Sequence, residues 1–137
     1  MHRIGMPERA STRNPIDNGA MGPAHEVDLT LAVGREALAS GEIDALVLHG
    51  IGGPGMLDNP GTGTDPNSLD VEKRFIRAFD DLEKEARVPV LIGCHYTPWE
   101  SQAVYDLNTQ GIRIYNRVDE IAQILSLMYR YWKTRLP

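Results

Sequence analysis

Three short apolar runs alternate with helical patterns along the chain, and this alternation restricts the possible folds more than any other feature. The runs cover residues 43–48, 88–93 and 112–115. Each follows a segment whose apolar residues recur at helical spacing, and a last helical segment covers residues 118–132. Strands that alternate with helices pair in parallel, and strands that are apolar throughout are covered on both faces. The sequence therefore predicts a three-layer α/β fold with a parallel sheet and helices on both faces.

The predicted sheet is small, and one of its strands lacks a neighbour. Three strands are fewer than the five or so of a usual doubly wound sheet. Residues 1–24 are rich in proline and glycine, which predicts an irregular arm that does not pair with residues 43–48. Because an unpaired apolar edge is an association site, we expect a partner chain or a missing N-terminal half to cover it. The predicted organisation is an arm over residues 1–24 and an incomplete α/β domain over residues 25–137.

Composition argues against several classes of function. The chain has 137 residues, with 14 Lys and Arg against 19 Asp and Glu, so its net charge is −5. An acidic chain without a basic cluster is not expected to bind nucleic acid, and no run reaches the roughly 20 apolar residues of a membrane span. Cys94 is the only cysteine, which excludes an intramolecular disulfide and a multi-cysteine zinc site. No secretory signal pattern is visible, so we expect a cytoplasmic location.

The carboxyl ends of the predicted strands are the best candidate for a site, because open parallel sheets bind ligands there. His49 follows the first strand, and Cys94 and His95 follow the second. An imidazole titrates near neutral pH, so His49 could accept a phosphoryl group, act as a base, or be a hydrogen-bonded polar residue without catalytic function. The sequence leaves these three interpretations open.

Residues 50–68 form a long segment rich in glycine and proline, and loops of this length are often functional. Gly50, Gly52 and Gly55 follow the G-x-G-x-x-G pattern of dinucleotide sites. Such a site also needs a helix that opens at the last glycine, and Pro54 argues against one. The glycine N–H groups could instead bind an anion, or the segment could be a flexible surface loop. Both alternatives stay open.

Cys94 and His95 could form a nucleophilic pair only if their side chains met. Neighbouring residues at a strand end point to opposite faces, so we predict that Cys94 is a small buried residue. His49 and His95 lack a third ligand at a recognisable spacing, so the sequence predicts no metal site. No residue of the chain is predicted to be catalytic.

Several segments follow one another in an order known from one family of ligases. Residues 7–17, PERASTRNPID, are similar to P-x-x-A-S-x-x-N-P-V-D, and residues 42–48, EIDALVL, to x-V-D-A-V-L-V. A Gly-Gly turn follows, and VPVLI, GIRIY and VDEIA then resemble K-P-V-L-V, G-I-P-V-Y and P-E-R-A-V. Over about residues 7–132 the chain thus resembles the NDP-forming acyl-CoA synthetases, which include ADP-forming acetyl-CoA synthetases and their succinyl-CoA synthetase relatives.

This resemblance implies the C-terminal half of a flavodoxin-like CoA-ligase domain. The family's domain begins with a strand that carries a T-N-G-G-G-P-G turn, then a helix and another strand, and these segments are not found here. The family's phosphohistidine lies in a segment similar to S-H-T-G-S, which this sequence also lacks. The implied partner is a chain or domain that supplies the first strands and the phosphohistidine segment, in an oligomeric complex.

The family forms acyl-CoA from an acid, CoA and ATP through an acyl phosphate and a phosphohistidine. The resemblance implies that this chain supports the phosphate site and is not active alone. The candidate phosphate-facing residues are His49, Gly50, Gly52, Gly53 and, behind them, His95. No cofactor is expected in this chain itself, whereas CoA and ATP with Mg²⁺ are expected in the complete enzyme. An insertion at roughly residues 54–67 departs from the family pattern, and the alternative is a non-catalytic flavodoxin-like binding or scaffold module.

Overall fold

Helices and strands alternate along the chain, as predicted. The computed structural model describes residues 6, 8, 10–17, 23–51 and 68–135. The elements in chain order are α1 Pro23–Ser40, β1 Leu46–Ile51, α2 Ser68–Glu85, β2 Val90–Cys94, α3 Gln102–Thr109, β3 Ile114–Tyr115 and α4 Val118–Lys133. None of the helices in the described part of the chain combines the length and the apolar character needed to cross a lipid bilayer.

The three strands form a parallel sheet with β2 in the centre. Leu46 pairs with Val90, and Ile92 in turn pairs with Ile114. Residues 112–115 alternate between apolar and polar, which predicts a strand near an edge. This is confirmed, because β3 is the outer strand on that side among the described residues. On the other side, β1 pairs with no further strand among the described residues, so the sheet is open there.

Helices cover both faces of this sheet, which confirms the predicted three-layer α/β fold. Side chains alternate between the two faces of a strand, so each face has its own helices. On one face the buried core joins β1 and β2 to α2 and α3; its members are Leu48, Ile76, Phe79, Leu82, Val90, Ile92, Cys94, Ala103, Val104 and Leu107. On the opposite face α4 packs against β2 and β3, with Ile121 buried beside Gly93.

The first strand begins and ends later than predicted. Residues 43–45 lie outside β1, because the chain turns there from α1 towards the sheet through Gly41, whose φ is 69°. The strand then continues through His49 and Gly50 to Ile51. His49 pairs with Gly93 and Ile51 with Cys94, so Gly50 is the extra residue of a β-bulge. Its φ of 97° lies in the left-handed region, which glycine adopts without a steric cost.

Two helices also begin at residues other than those predicted. The arm was expected to extend to residue 24, but α1 begins at Pro23, and a proline suits the first turn of a helix. The spacing of Trp99, Ala103 and Leu107 predicts a helix that begins near Trp99, but this residue lies in the preceding turn and is 89% exposed. The helix begins only at Gln102, after the N-cap residue Ser101.

The apolar stripe predicted along α4 is buried only in its first half. Ile121 is buried and Leu125 is partly buried, but Met128 and Trp132 are exposed. A helix of 16 residues is about 24 Å long, whereas a strand of five residues spans about 17 Å. The helix is therefore longer than the strand that it covers, and its last turns are left without a partner among the described residues.

Ser101 stabilises the start of α3, because its buried hydroxyl accepts a hydrogen bond from the Val104 N–H at 3.4 Å. We expect Ser101→Ala to lower the free energy of unfolding by about 1 kcal/mol, which is typical for the loss of an N-cap. Urea denaturation measures this difference. Ser126→Ala, at an exposed position within α4, is the control and is expected to change stability by less than about 0.5 kcal/mol. Equal losses in the two variants would contradict the capping role.

Candidate functional site

His49 and His95 meet at the carboxyl end of the sheet. His49 belongs to β1, and His95 directly follows β2. Their ring centroids are 4.4 Å apart, and the ring planes meet at 81°, an edge-to-face arrangement. Because parallel strands end at the same edge of a sheet, two histidines that are distant in sequence become neighbours. We call this pair, together with Gly50, the rim.

Gly93 makes room for the His49 ring. It pairs with His49 across the sheet, and a Cβ atom at Gly93 would lie 2.5 Å from His49 Cδ2 and 2.8 Å from Ile121 Cδ1. The lack of a side chain therefore admits the imidazole and α4 at the same point of the sheet. Gly93 is not among the site residues that were predicted from the sequence. Its signal was a glycine within a buried strand, which often marks the close approach of another group.

The surroundings of His49 favour its neutral form. Partial burial lowers the pKa of His49, and the neighbouring His95 lowers it further. Both causes act against the imidazolium and favour the neutral ring. A neutral imidazole offers one N–H donor and one acceptor nitrogen. His49 can therefore donate a hydrogen bond to an anion or accept a proton, but it does not provide a fixed positive charge.

Cys94 lies on the other face of the sheet from the two histidines. It is completely buried in the core that α2 and α3 cover, and the Tyr96 N–H donates a hydrogen bond to its Sγ at 3.2 Å. Burial raises the pKa of the Cys94 thiol above its usual value, so the thiolate is disfavoured. The prediction that Cys94 is a small buried residue is confirmed, and the thiol has no access to the rim.

Three of the five predicted site residues lie together at the rim, namely His49, Gly50 and His95. Gly52 and Gly53 lie outside the described residues, as does the insertion at residues 54–67.

Comparisons with protein-family models, with curated proteins and with solved structures gave no match to this chain. In the described parts of the chain, no group of three His, Cys, Asp or Glu residues could hold a metal ion. The two imidazoles of the rim can donate and accept hydrogen bonds and can transfer protons.

A groove of about 1230 Å³ follows the unpaired edge of β1 and includes His49 and Gly50 in its lining. Val47 lines it and is 40% exposed, so the edge is not covered by the described N-terminal arm. Residues 12 and 14–17 of the arm nevertheless form part of the lining. The sequence predicts the open edge, but it does not predict that the arm lines the groove. No sequence pattern between the arm and β1 indicates where the arm lies relative to the sheet.

The lowered pKa of His49 makes a direct prediction for titration. We expect NMR titration of the His49 ring to give a pKa below the usual 6.5, and His95→Gln to raise it, because the charge of His95 is removed while burial remains. The unfolded chain binds this proton more readily than the folded one. The contribution to stability is therefore complete above about pH 6.5 and is lost as the pH falls through the pKa of folded His49.

His49→Asn is the control for this titration, since it removes the titrating group and with it this part of the pH dependence of unfolding. Thermal unfolding between pH 5 and 8 measures the effect. A His49 pKa above 6.5, or one that does not respond to His95→Gln, would contradict the electrostatic description of the rim.

Proposed function

We propose that this chain is a subunit or fragment of an NDP-forming acyl-CoA synthetase, which converts an acid, CoA and ATP to acyl-CoA, ADP and phosphate. In this proposal the chain supports the phosphate site, and a partner supplies the phosphohistidine. The observation that carries the proposal is that β1 pairs on one side with no strand among the described residues, and that His49 of this strand contacts His95. An open edge beside a candidate anion site is what an incomplete ligand-binding sheet would present.

The rim offers suitable groups for a phosphate. His49 and His95 each carry ring nitrogens that can donate hydrogen bonds to phosphate oxygens. Gly50 is exposed, and its bulge takes its backbone out of the regular ladder with β2. A glycine at this position also lets an anion approach the backbone closely. CoA and ATP with Mg²⁺ would bind in the complete enzyme, outside this chain.

The location follows from the proposed chemistry and from Cys94, the single cysteine of the sequence. A chain that forms no disulfide within itself suits a reducing compartment, and the proposed reaction consumes ATP and CoA. We therefore place the proposed enzyme in the cytoplasm.

Reconstitution tests the proposal. The chain is mixed with a polypeptide that contains the family's first strands and its phosphohistidine segment, and the formation of acyl-CoA and ADP from acetate, CoA and ATP–Mg²⁺ is measured. We expect activity only from the mixture, and a loss of roughly tenfold or more with His49→Asn, because a hydrogen bond to the reacting phosphate is removed. Gln123→Ala, an exposed change on α4, is the control and should leave the rate unchanged.

Failure to isolate a complex with such a polypeptide, together with a reconstituted mixture that forms no acyl-CoA from a panel of short-chain acids, would contradict the ligase proposal. Normal activity in the His49→Asn mixture would contradict the role of the rim while leaving the complex itself in place.

The alternative is a non-catalytic flavodoxin-like binding or scaffold module. The observations that favour it are the burial of Cys94 away from the rim and the lowered pKa of His49, which leave the rim without a thiolate and disfavour a charged imidazole. A monomer that unfolds in one cooperative transition, and that is not stabilised by the ligase polypeptide, would favour this alternative.

A further inference from the structure

The groove beside β1 combines an unpaired strand backbone with apolar walls on both sides of the sheet. Among the described residues, β1 pairs only with β2, so the N–H and C=O groups of its other edge face the groove. Val33 and Phe79 are buried residues of the lining on one side, and Val47 and Leu125 line it on the side of α4. A strand added here would place its side chains alternately against these two walls. Its central residues must therefore be apolar on both faces.

The carboxylates in the described lining of the groove give it an acidic character. The lining contains Asp17, Glu36 and Glu42 and, among the described residues, no lysine or arginine. Glu36 and Glu42 are exposed; Glu36 lies in the last turns of α1 and Glu42 in the connection that leads into β1, whereas His49 lies in the second half of that strand. No ion pair within the described ranges involves Glu36 or Glu42. A bound segment would therefore be complementary if it carried positive charge beside the start of β1.

The other segments of this sequence lack the apolar pattern that such a strand requires. Outside the described ranges the sequence contains at most two consecutive apolar residues, as at Met56-Leu57. A strand that is buried on both faces needs a longer apolar run. A second copy also fits poorly, because edge-to-edge pairing would bring two acidic grooves and two arms together, and like charges repel.

From these contacts and charges we propose that the groove binds one extended segment of a different polypeptide as an added strand parallel to β1. The segment has an apolar centre of about five residues, matched to the length of β1, and lysine or arginine at its N-terminal end, beside Glu36 and Glu42. We expect the parallel direction because β1 pairs in parallel with β2, and β2 in parallel with β3. The inference specifies the partner's recognition segment and does not depend on the ligase reaction.

Binding of a labelled synthetic peptide tests this inference. The probe is Lys-Lys-Val-Ile-Val-Thr-Val with blocked termini, and fluorescence anisotropy is measured with the intact chain. We expect saturable binding that weakens roughly threefold to tenfold in the double variant Glu36→Gln/Glu42→Gln, since two exposed charge pairs are lost. Both positions are exposed, so the variant should keep its thermal unfolding transition. The peptide with lysines at its C-terminal end should bind more weakly by a similar factor.

Three outcomes would overturn the inference. The first is equal binding of a peptide with proline at its central position, which cannot complete the backbone ladder. The second is equal binding of the same peptide with Glu-Glu in place of Lys-Lys. The third is a dimer of this chain in analytical ultracentrifugation that the peptide does not dissociate, which would assign the edge to a second copy. Specific peptide binding with no acyl-CoA formation after reconstitution would support this inference and count against the ligase proposal alone.

Discussion

Replacement of Phe79 by alanine is expected to lower the free energy of unfolding by about 3–5 kcal/mol, the largest effect of any single substitution considered. Phe79 is 1% exposed and lies in the core between α2 and the sheet. Its ring meets that of Phe75 edge-to-face, with centroids 5.4 Å apart, and its Cε1 lies 3.4 Å from the Cβ position of Gly34 on α1. The variant would lose the contact with Phe75 on α2 and the packing beside Gly34 on α1. It would also leave a cavity that the fold cannot fully close.

Urea denaturation followed by circular dichroism measures this loss. Trp99→Ala is the matched control, because it also removes a large aromatic ring, but one that is 89% exposed. We expect the control to change stability by less than about 0.5 kcal/mol. Similar losses of unfolding free energy in the two variants would contradict the contribution of buried Phe79 to the core.

Gly93→Ala is expected to have the second-largest effect, a loss of about 1–3 kcal/mol together with a displaced His49 ring. The added methyl group would lie 2.5 Å from His49 Cδ2 and 2.8 Å from Ile121 Cδ1, closer than carbon atoms approach in proteins. Because β2 is the central strand and cannot shift easily, the ring and α4 must move away from it. NMR should show changed ring protons of both His49 and His95, since the two rings are in contact.

Gly34→Ala is the control for this substitution. A Cβ atom there meets its nearest neighbours at 3.4 Å, and alanine favours helix over glycine, so stability should stay within about 1 kcal/mol of the original. The double variant Gly93→Ala/Ile121→Val removes Cδ1 of Ile121 and should recover part of the lost stability. It should not restore the position of the His49 ring, because the new methyl group still meets Cδ2 of His49. Unchanged histidine resonances in Gly93→Ala would contradict the packing of His49 against Gly93.

The elements themselves could be predicted with good accuracy because their signals are local. The helical stripe Val71, Phe75, Ile76, Phe79 and Leu82 lies within α2, and the apolar run around Val90 forms the central strand. Their bounds were less accurate. Residues 43–45 look like strand by composition but are used to turn the chain, and the glycine that predicted a loop at residue 50 instead forms a bulge within β1.

The candidate site could be predicted only in part. The position of His49 and His95 after two apolar runs placed both at one end of a parallel sheet. Their contact could not be predicted, because it depends on Gly93, whose role is visible only when the facing residues of β1 and α4 are known. The acidic groove likewise combines residues of the arm, α1 and β1 that no sequence pattern connects.

The sequence by itself determined the alternating elements, the parallel α/β class and the burial of Cys94, because apolar periodicity and strand alternation act over a few neighbouring residues. Only the tertiary structure decided that His49 touches His95, that Gly93 admits both a ring and a helix, and that the open edge of β1 lies in a groove with acidic residues in its lining. These features arise from side chains that are far apart in the chain and meet only when the sheet and helices pack.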